Sequence, residues 1–204
     1  MKRIEQRKKG LFIVIEGLDG SGKDTQLEML RDYLSRLGYT VKATNEPTSG
    51  KLGRRIRENG LSGKKKFTNL EMQLLFSLDR GEHLKNEIEP ALAKGEIVLS
   101  GRYSPSTLAY GFAGGSDTDI LEEANEGYRK PDVLIYIDVS YRTAIERLAK
   151  RRGVTEIYEN SEFLKKTEEG YKRILGSFNS VVIDGTPSLE EVHKKVIAAV
   201  SRYI

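Results

Sequence analysis

A glycine-rich turn between a short apolar run and a helical pattern constrains the fold of this chain more than any other feature. Residues 11–15, LFIVI, predict a buried strand. Behind the turn, apolar residues recur at helical spacing until Gly38, which predicts a helix that ends there. The turn itself, GLDGSGK at residues 17–23, has the spacing glycine, four residues, glycine, lysine. A strand, this turn and a helix in that order are the context of a phosphate-binding P-loop.

The chemistry of a P-loop depends on its glycines and its lysine. Glycines let consecutive backbone N–H groups converge on phosphate oxygens, and the helix N-terminus adds positive potential. Lys23 would reach the β- and γ-phosphates. The predicted ATP-binding residues are Gly17, Asp19, Gly20, Ser21, Gly22, Lys23, Asp24 and Thr25. The alternative is a glycine-rich turn that binds no ligand.

Asp24 stands where a P-loop usually has the serine or threonine whose hydroxyl binds Mg²⁺. An acid at a helix start is favoured by the helix macrodipole, which is one interpretation of Asp24. A carboxylate about 4 Å from a phosphate charge is opposed by roughly 4 kcal/mol at an effective dielectric of about 20. A metal ion between the two groups removes that repulsion. We therefore predict Asp24 as a ligand of Mg²⁺.

Composition excludes several classes of protein. The 204 residues suffice for one domain with a sizeable core, and the absence of cysteine excludes disulfides and thiolate metal sites. No apolar run reaches transmembrane length and no signal-peptide pattern precedes residue 11, so we expect a cytoplasmic protein with no membrane partner. The net charge of +4 is most concentrated in a basic tail, residues 1–10, which lacks interleaved aromatics. We therefore expect no nucleic-acid partner.

Further strands alternate with helical patterns along the rest of the chain. Strands are predicted at residues 39–44, 96–100, 133–139 and 181–183. The longest helical pattern covers residues 69–93, and Pro90 is expected to kink or interrupt it. Five strands that alternate with helices predict an α/β fold, a three-layer α/β/α sandwich around a parallel sheet. We expect residues 11–204 to form one domain after the basic tail.

With these segments in order, the chain from about residue 11 to 200 resembles the thymidylate kinase family of P-loop nucleoside-monophosphate kinases. Four stretches outside the P-loop carry the resemblance: Glu46-Pro47, LLFSLDR at 74–80, Arg102-Tyr103 with Ser106 and Ala109-Tyr110, and PDVLIYID at 131–138. The resemblance implies a five-stranded sheet of order 2-3-1-4-5. It also implies transfer of the ATP γ-phosphoryl group to dTMP in dTTP biosynthesis, Mg²⁺ as cofactor, and a homodimer.

The resemblance implies roles for individual residues. Asp19 would accept a hydrogen bond from the 3′-hydroxyl of the acceptor, Phe76 would stack on thymine, and Arg80 would contact the base edge. Arg102 would hold the transferred phosphoryl group, and Tyr110 would lie under the deoxyribose. The remaining residues of the implied dTMP site are Glu46, Pro47, Ser106 and Tyr158.

Taken without the resemblance, most of these residues have a structural alternative. Asp19 suits a tight turn, and Phe76 on a mostly apolar helix suits the core. Arg80 suits a surface ion pair with a nearby acid such as Asp79. Arg102 directly follows a predicted buried strand, where it has little structural use, and a guanidinium can hold two phosphate oxygens.

A lid at about residues 150–160 is also implied by the resemblance. Because the P-loop has Gly20 after Asp19, the chain resembles family members that place the catalytic arginine in this lid. Arg151 and Arg152 are the candidates, and they join Lys23 and Arg102 as predicted catalytic groups. The alternative is a basic helix end that complements the helix macrodipole.

Two departures from the family pattern concern the metal. Gly101 replaces the acid of an Asp-Arg-Tyr motif, whereas Asp24 places an acid where the P-loop usually has a hydroxyl. We hypothesise that the second carboxylate compensates for the loss of the first, because Mg²⁺ accepts a mixture of carboxylate and phosphate ligands.

Two other departures concern the acceptor. Asn45 stands where many members have an arginine that contacts the acceptor phosphate, and Arg54 or Arg55 are candidate substitutes. Gly111 replaces a residue that is polar in many relatives and lies near the base. These departures leave two alternatives open: a monophosphate kinase of wider specificity, acting for example on dUMP, and a nucleotide-binding member without turnover.

Overall fold

The computed structural model describes residues 9–64, 66–150 and 161–204. Its strands are β1 Leu11–Glu16, β2 Val41–Asn45, β3 Ile97–Gly101, β4 Val133–Asp138 and β5 Ser180–Asp184. Its α-helices are α1 Lys23–Arg36, α2 Lys51–Arg55, α3 Asn69–His83, α4 Glu89–Ala93, α5 Ser104–Ala113, α6 Thr118–Glu126, α7 Tyr141–Lys150, α8 Ser161–Ile174 and α9 Leu189–Ser201. A π-helical turn, Ile56–Leu61, follows α2, and a 3₁₀ turn, Leu175–Ser177, follows α8.

The five strands form one parallel sheet in the order β2-β3-β1-β4-β5, as predicted. β1 lies in the middle, with Ile13 opposite Leu99 of β3 and Val133 of β4. At its carboxyl end, Ile15 lies opposite Gly101, and Gly101 lies opposite Asn45 of β2. This register brings the loops that follow β1, β2 and β3 together at one edge of the sheet.

Alternate residues of the strands build two apolar layers, one on each face of the sheet. Phe12 and Val14 of β1 face a layer completed largely by α5 and α8. Leu11, Ile13 and Ile15 face the opposite layer, which α1 and α9 complete. Because successive strand residues point to opposite faces, a continuous apolar run is what a strand buried on both sides requires. The three-layer α/β/α sandwich is therefore confirmed.

The long helical pattern over residues 69–93 is interrupted where Pro90 was expected to act. Between α3 and α4 the chain forms a π-helical turn, Leu84–Ile88, and Pro90 lies in the first turn of α4. Proline has no N–H and its ring crowds the carbonyl one turn earlier, so a wider turn ahead of it relieves both problems. Over residues 9–64, 66–150 and 161–204, no helix combines the length and apolar character needed to cross a membrane.

Candidate active site

The P-loop adopts a conformation that its glycines allow. Gly17, Gly20 and Gly22 have φ angles of 153°, 87° and 93°, which side chains of L-residues rarely tolerate. A Cβ on Gly20 would lie 2.5 Å from the carbonyl oxygen of Ala144, so the loop also packs too closely for a side chain there. Gly22 stands at the N-cap of α1 and has no side chain to cap the first N–H groups. A helix start of this kind suits an anion.

A cavity of about 220 Å³ opens beside the P-loop, and the structure brings most of the predicted side chains into its wall. Those that line it are Asp19, Lys23, Asp24, Glu46, Pro47, Phe76, Arg80, Arg102, Ser106 and Tyr110. The other predicted loop residues, Gly17, Gly20, Ser21, Gly22 and Thr25, flank it in the P-loop and α1, with Thr25 exposed. Arg151, Arg152 and Tyr158 lie outside the described residues.

Asp19 connects the P-loop to the opposite wall of the cavity. Its Oδ1 lies 3.3 Å from Lys23 Nζ and pairs with the Arg102 guanidinium, while Tyr110 donates a 3.1 Å hydrogen bond to Oδ2. Burial alone would raise the pKa of the Asp19 carboxyl, but Arg102 and Lys23 hold that pKa well below its usual range. Asp19 is therefore ionised in the working pH range, and it is more than a turn-forming residue.

Arg102 follows β3 in a left-handed backbone conformation. Its φ of 69° is positive, which no other non-glycine residue in the described ranges shows. Nη1 donates to Ser106 Oγ at 3.0 Å, and Nη2 donates to the Tyr110 hydroxyl at 3.2 Å. The guanidinium carbon also lies 5.0 Å from the centre of the Tyr110 ring. Non-glycine residues in this region are strained and concentrate at functional sites.

Glu16, which the sequence analysis did not assign to the site, binds the residues that follow Arg102 and holds this wall of the cavity in place. Its buried carboxylate accepts hydrogen bonds from the backbone N–H groups of Tyr103 and Ser106 at 2.8 and 3.2 Å. The hydroxyls of Ser106 and Tyr171 donate to its other oxygen, each at 2.8 Å. Burial raises the pKa of the Glu16 carboxyl, against the lowering effect of Arg102. The sequence feature that could have marked Glu16 as a site residue is its place as the one acid at the end of an apolar strand.

Helix α3 supplies the far end of the cavity. Arg80 is 1% exposed, so the alternative of a surface ion pair with Asp79 is wrong. Its Nη2 lies 2.6 Å from Glu46 Oε2 and donates to Thr107 Oγ1 at 3.1 Å. Phe76 is half-buried in the cavity wall and belongs to neither apolar layer. These two side chains place an aromatic ring and a buried cation at the same end of the cavity.

Arg57 is a cavity residue that the sequence analysis missed. It lines the wall and donates from Nη1 to the carbonyl oxygen of Thr48 at 2.6 Å. Arg54 and Arg55, the candidates from the sequence, do not line the cavity, and Arg54 bonds to the carbonyl of Ser49 at 3.2 Å. The run RRIR offered a signal, because it carries a third arginine, Arg57, one helical turn after Arg54.

Asp24 lies in the first turn of α1, and its side chain is 59% exposed at the cavity. Its Oδ1 is 3.7 Å from Lys23 Nζ. In the part of the chain that the structure describes, no three histidine, cysteine or acidic side chains cluster to form a metal site. At position 101, a Cβ would lie 2.5 Å from Asn45 Oδ1, so the Asn45 amide occupies the space where a side chain at 101 would begin.

Comparison with known proteins agrees with the geometry. The sequence model of the thymidylate kinase family matches residues 15–196. The probable thymidylate kinase of Pyrococcus horikoshii is 36% identical over 198 residues, which cover 94% of this chain and 96% of that protein. The thymidylate kinase of Sulfurihydrogenibium sp. is 39% identical, with 92% and 95% covered, and that of Thermoanaerobacter pseudethanolicus is 35% identical, with 96% and 100% covered. The chain belongs to the thymidylate kinase family of P-loop kinases.

Proposed function

We propose that this protein transfers the γ-phosphoryl group of ATP to dTMP, giving ADP and dTDP for the synthesis of dTTP. The observation that carries the proposal is the convergence of Lys23 and Arg102 on one carboxylate oxygen at the mouth of the P-loop. Two cations at this point face the place where the phosphates of a donor and an acceptor would meet. Family membership gives the pair of substrates.

The donor binds at the P-loop. Backbone N–H groups of residues 17–25 surround the ATP phosphates, and Lys23 contacts the β- and γ-phosphates. Lys23 is 4% exposed, so its charge acts where water screens it little. On this basis the loop residues position the ATP phosphates and supply positive potential, and they take no part in acid–base chemistry.

The acceptor occupies the cavity between α3 and α5. Phe76 stacks on the thymine ring and Arg80 contacts the base edge, while Asp19 accepts a hydrogen bond from the sugar 3′-hydroxyl. The Tyr110 ring lies beside Asp19, where it crowds the position of a 2′-hydroxyl. Arg102 and Arg57, which both line the cavity, contact the acceptor phosphate, and Arg57 supplies the charge that Asn45 does not.

Phosphoryl transfer at this site requires charge stabilisation and alignment, with no covalent intermediate. Charge spreads over the oxygens of the transferred group in a loose transition state, and a planar guanidinium such as Arg102 can hold two of them. Arg151 or Arg152 supplies a further guanidinium from the lid, and Tyr158 completes the acceptor site. Exclusion of water by the lid limits hydrolysis of ATP.

Asp24 is the residue that would hold Mg²⁺. Its exposed carboxylate at the cavity is an oxygen ligand of the type that Mg²⁺ prefers, and one carboxylate together with phosphate oxygens is a usual ligand set. The donor chemistry therefore fits the ion. Bound Mg²⁺ would neutralise charge on the β- and γ-phosphates.

The protein acts as a cytoplasmic homodimer in this proposal, and the outer face of α3 supplies the contact. Leu78 is 57% exposed there, and Leu74 and Leu75 are half-buried on the same helix. The neighbouring helix α6 adds Ile120, which is 42% exposed. Exposed apolar side chains that cluster on one surface favour a protein partner.

The direct test is ADP release from Mg·ATP with dTMP, dUMP, dGMP, CMP and AMP as separate acceptors. Turnover dominated by dTMP is the expected result. Turnover spread over several acceptors would replace this proposal with a monophosphate kinase of wide specificity. Absence of turnover with all five, in protein that still binds ATP and dTMP, would support a non-catalytic family member.

A further inference from the structure

Gln73 is a buried amide in the cavity wall that has no role in the network described above. It lies on α3, one turn before Phe76 and two turns before Arg80, and all three side chains line the cavity. Its side chain is 1% exposed. Its Nε2 is buried and has no hydrogen-bond partner among the residues that the structure describes.

A buried donor without a partner is unfavourable, and native proteins leave few of them. An apolar side chain of similar size would avoid that cost at position 73. Arg80, two turns along the same helix, shows a second case, because its Nε is also buried and unpartnered within the described ranges. Two unsatisfied donors on side chains of one helix that line the same cavity indicate that a ligand supplies the acceptors.

Gly111 on α5 has no polar side chain, so the amide in this part of the cavity wall is that of Gln73 on α3. A Cβ on Gly111 would lie 2.2 Å from Leu121 Cδ1 and 3.6 Å from Gln73 Cγ. A side chain at position 111 of α5 would therefore have to displace the end of the Leu121 side chain, whereas Gln73 lies at an ordinary contact distance. The polar group that this part of the wall presents belongs to Gln73.

We infer that Gln73 Nε2 donates a hydrogen bond to a ring carbonyl oxygen of the acceptor base and is a specificity-determining residue. Arg80 carries donors and no acceptor, so the pair matches a pyrimidine with two carbonyl oxygens, such as thymine or uracil. Cytosine presents an amino group in place of one oxygen, which would leave one donor facing another. This inference rests on the proposed function and assigns the selection of the base within it.

The test compares Gln73→Leu and Gln73→Glu with the parent. Gln73→Leu removes the donor, and Gln73→Glu keeps the shape but replaces the donor with an acceptor. Met72→Leu is the matched control, because Met72 is buried on the same helix, packs against Gly60 and does not line the cavity. The measurements are kcat/KM for dTMP and dUMP, dissociation constants for dTMP and dCMP, KM for ATP, and Tm.

Loss of one hydrogen bond to a neutral acceptor should lower kcat/KM for dTMP and dUMP by roughly tenfold in Gln73→Leu. Gln73→Glu should lose at least as much, since its carboxylate faces a carbonyl oxygen. The preference for dTMP over dCMP should fall, whereas the ratio of dTMP to dUMP and the KM for ATP should stay constant. The Tm of Gln73→Leu should equal or exceed that of the parent, because an unsatisfied donor has been removed.

Two results would overturn the inference. One is a Gln73→Leu variant with the kcat/KM of the parent for dTMP. The other is a parallel loss for dTMP, dCMP and ATP together with a lower Tm, which is the signature of a structural residue. If the parent itself fails to bind dTMP, the proposed function fails and the inference with it. An active parent with an unaltered Gln73→Leu variant removes the inference alone.

Discussion

Arg102 forms an ion pair with Asp19, and this pair joins the residue that follows β3 to the P-loop that follows β1. The same Asp19 oxygen lies 3.3 Å from Lys23 Nζ. One carboxylate oxygen thus holds both cations that contact the transferred phosphoryl group in the proposed reaction. In that proposal, the entering phosphate replaces Asp19 as their counter-ion.

Replacing Asp19 with asparagine should lower stability and the efficiency of transfer together. Arg102 and Lys23 are largely buried and would lose their counter-ion, which we expect to lower the free energy of unfolding by roughly 1–3 kcal/mol. Saturating ATP and dTMP should narrow the difference in Tm between variant and parent, because phosphate oxygens then neutralise the same cations. Denaturation with and without nucleotide measures the loss of stability and the extent to which nucleotide reduces it.

The matched control is Asp32→Asn on α1. Asp32 pairs with Arg31 at 2.7 Å on the surface, where its side chain is 57% exposed. An exposed pair contributes little, so stability and kinetics should both stay at the level of the parent. A Tm deficit in Asp19→Asn that persists undiminished at saturating nucleotide would show that phosphate does not replace this carboxylate.

Replacing Glu16 with glutamine should make stability less dependent on pH. Burial raises the pKa of Glu16 above its ordinary 4.5, so the neutral form is more favoured in the folded state than in the unfolded chain. Glu16 therefore makes its full contribution to the free energy of unfolding below about pH 4.5. That contribution falls by at most about 1.4 kcal/mol per pH unit as the pH rises to the pKa of Glu16 in the folded state. The stability of Glu16→Gln relative to the parent should therefore increase through this window.

Urea unfolding of both proteins between pH 4.5 and 8 would measure this difference. Glutamine can accept from the backbone N–H groups of Tyr103 and Ser106, and its amide can donate to the two hydroxyls, so the hydrogen-bond geometry is kept. A stability difference that does not change with pH would mean that Glu16 is ionised in the folded state throughout the range.

Local patterns in the sequence were sufficient to predict the sheet and the P-loop. Apolar runs mark the buried strands, and the spacing of glycines before Lys23 determines a loop whose positive φ angles other residues rarely adopt. The partners of charged side chains could not be predicted in this way. Arg80 and Glu46 are 34 residues apart in the chain, and only the packing of α3 against the loop after β2 brings them to 2.6 Å.

The same limit applies to Arg57 and Glu16. The arginines after β2 are visible in the sequence, but which of them faces the cavity depends on how α2 and the π-helical turn after it pack against the rest of the fold. Glu16 extends a strand whose other residues are apolar, and its four donors come from residues 87 or more positions away. Long-range contacts of this kind leave no local pattern.

Asp24→Thr should lower kcat, and the loss should be smaller at high Mg²⁺ concentration if the carboxylate holds the ion. Adding Gly101→Asp should restore activity in part. The restored side chain would meet Asn45 Oδ1 at 2.5 Å, so we expect the fullest recovery in a triple variant that also carries Asn45→Ala. The measurement is kcat as a function of Mg²⁺, with the KM for dTMP as an internal control. Parent activity in Asp24→Thr at limiting Mg²⁺ would refute the hypothesis that the two carboxylates compensate.

Leu78→Glu should convert the proposed homodimer to a monomer. Leu78 is 57% exposed on α3 beside the half-buried Leu74 and Leu75, so a carboxylate there would be desolvated in an interface but harmless on a free surface. Leu37→Glu is the matched control, because Leu37 is 40% exposed at the end of α1, away from this face. Light scattering after size-exclusion chromatography measures the mass of each protein. If Leu78→Glu and Leu37→Glu both keep the mass of a dimer, the contact lies elsewhere. If the parent is itself a monomer, the apolar face of α3 needs another partner.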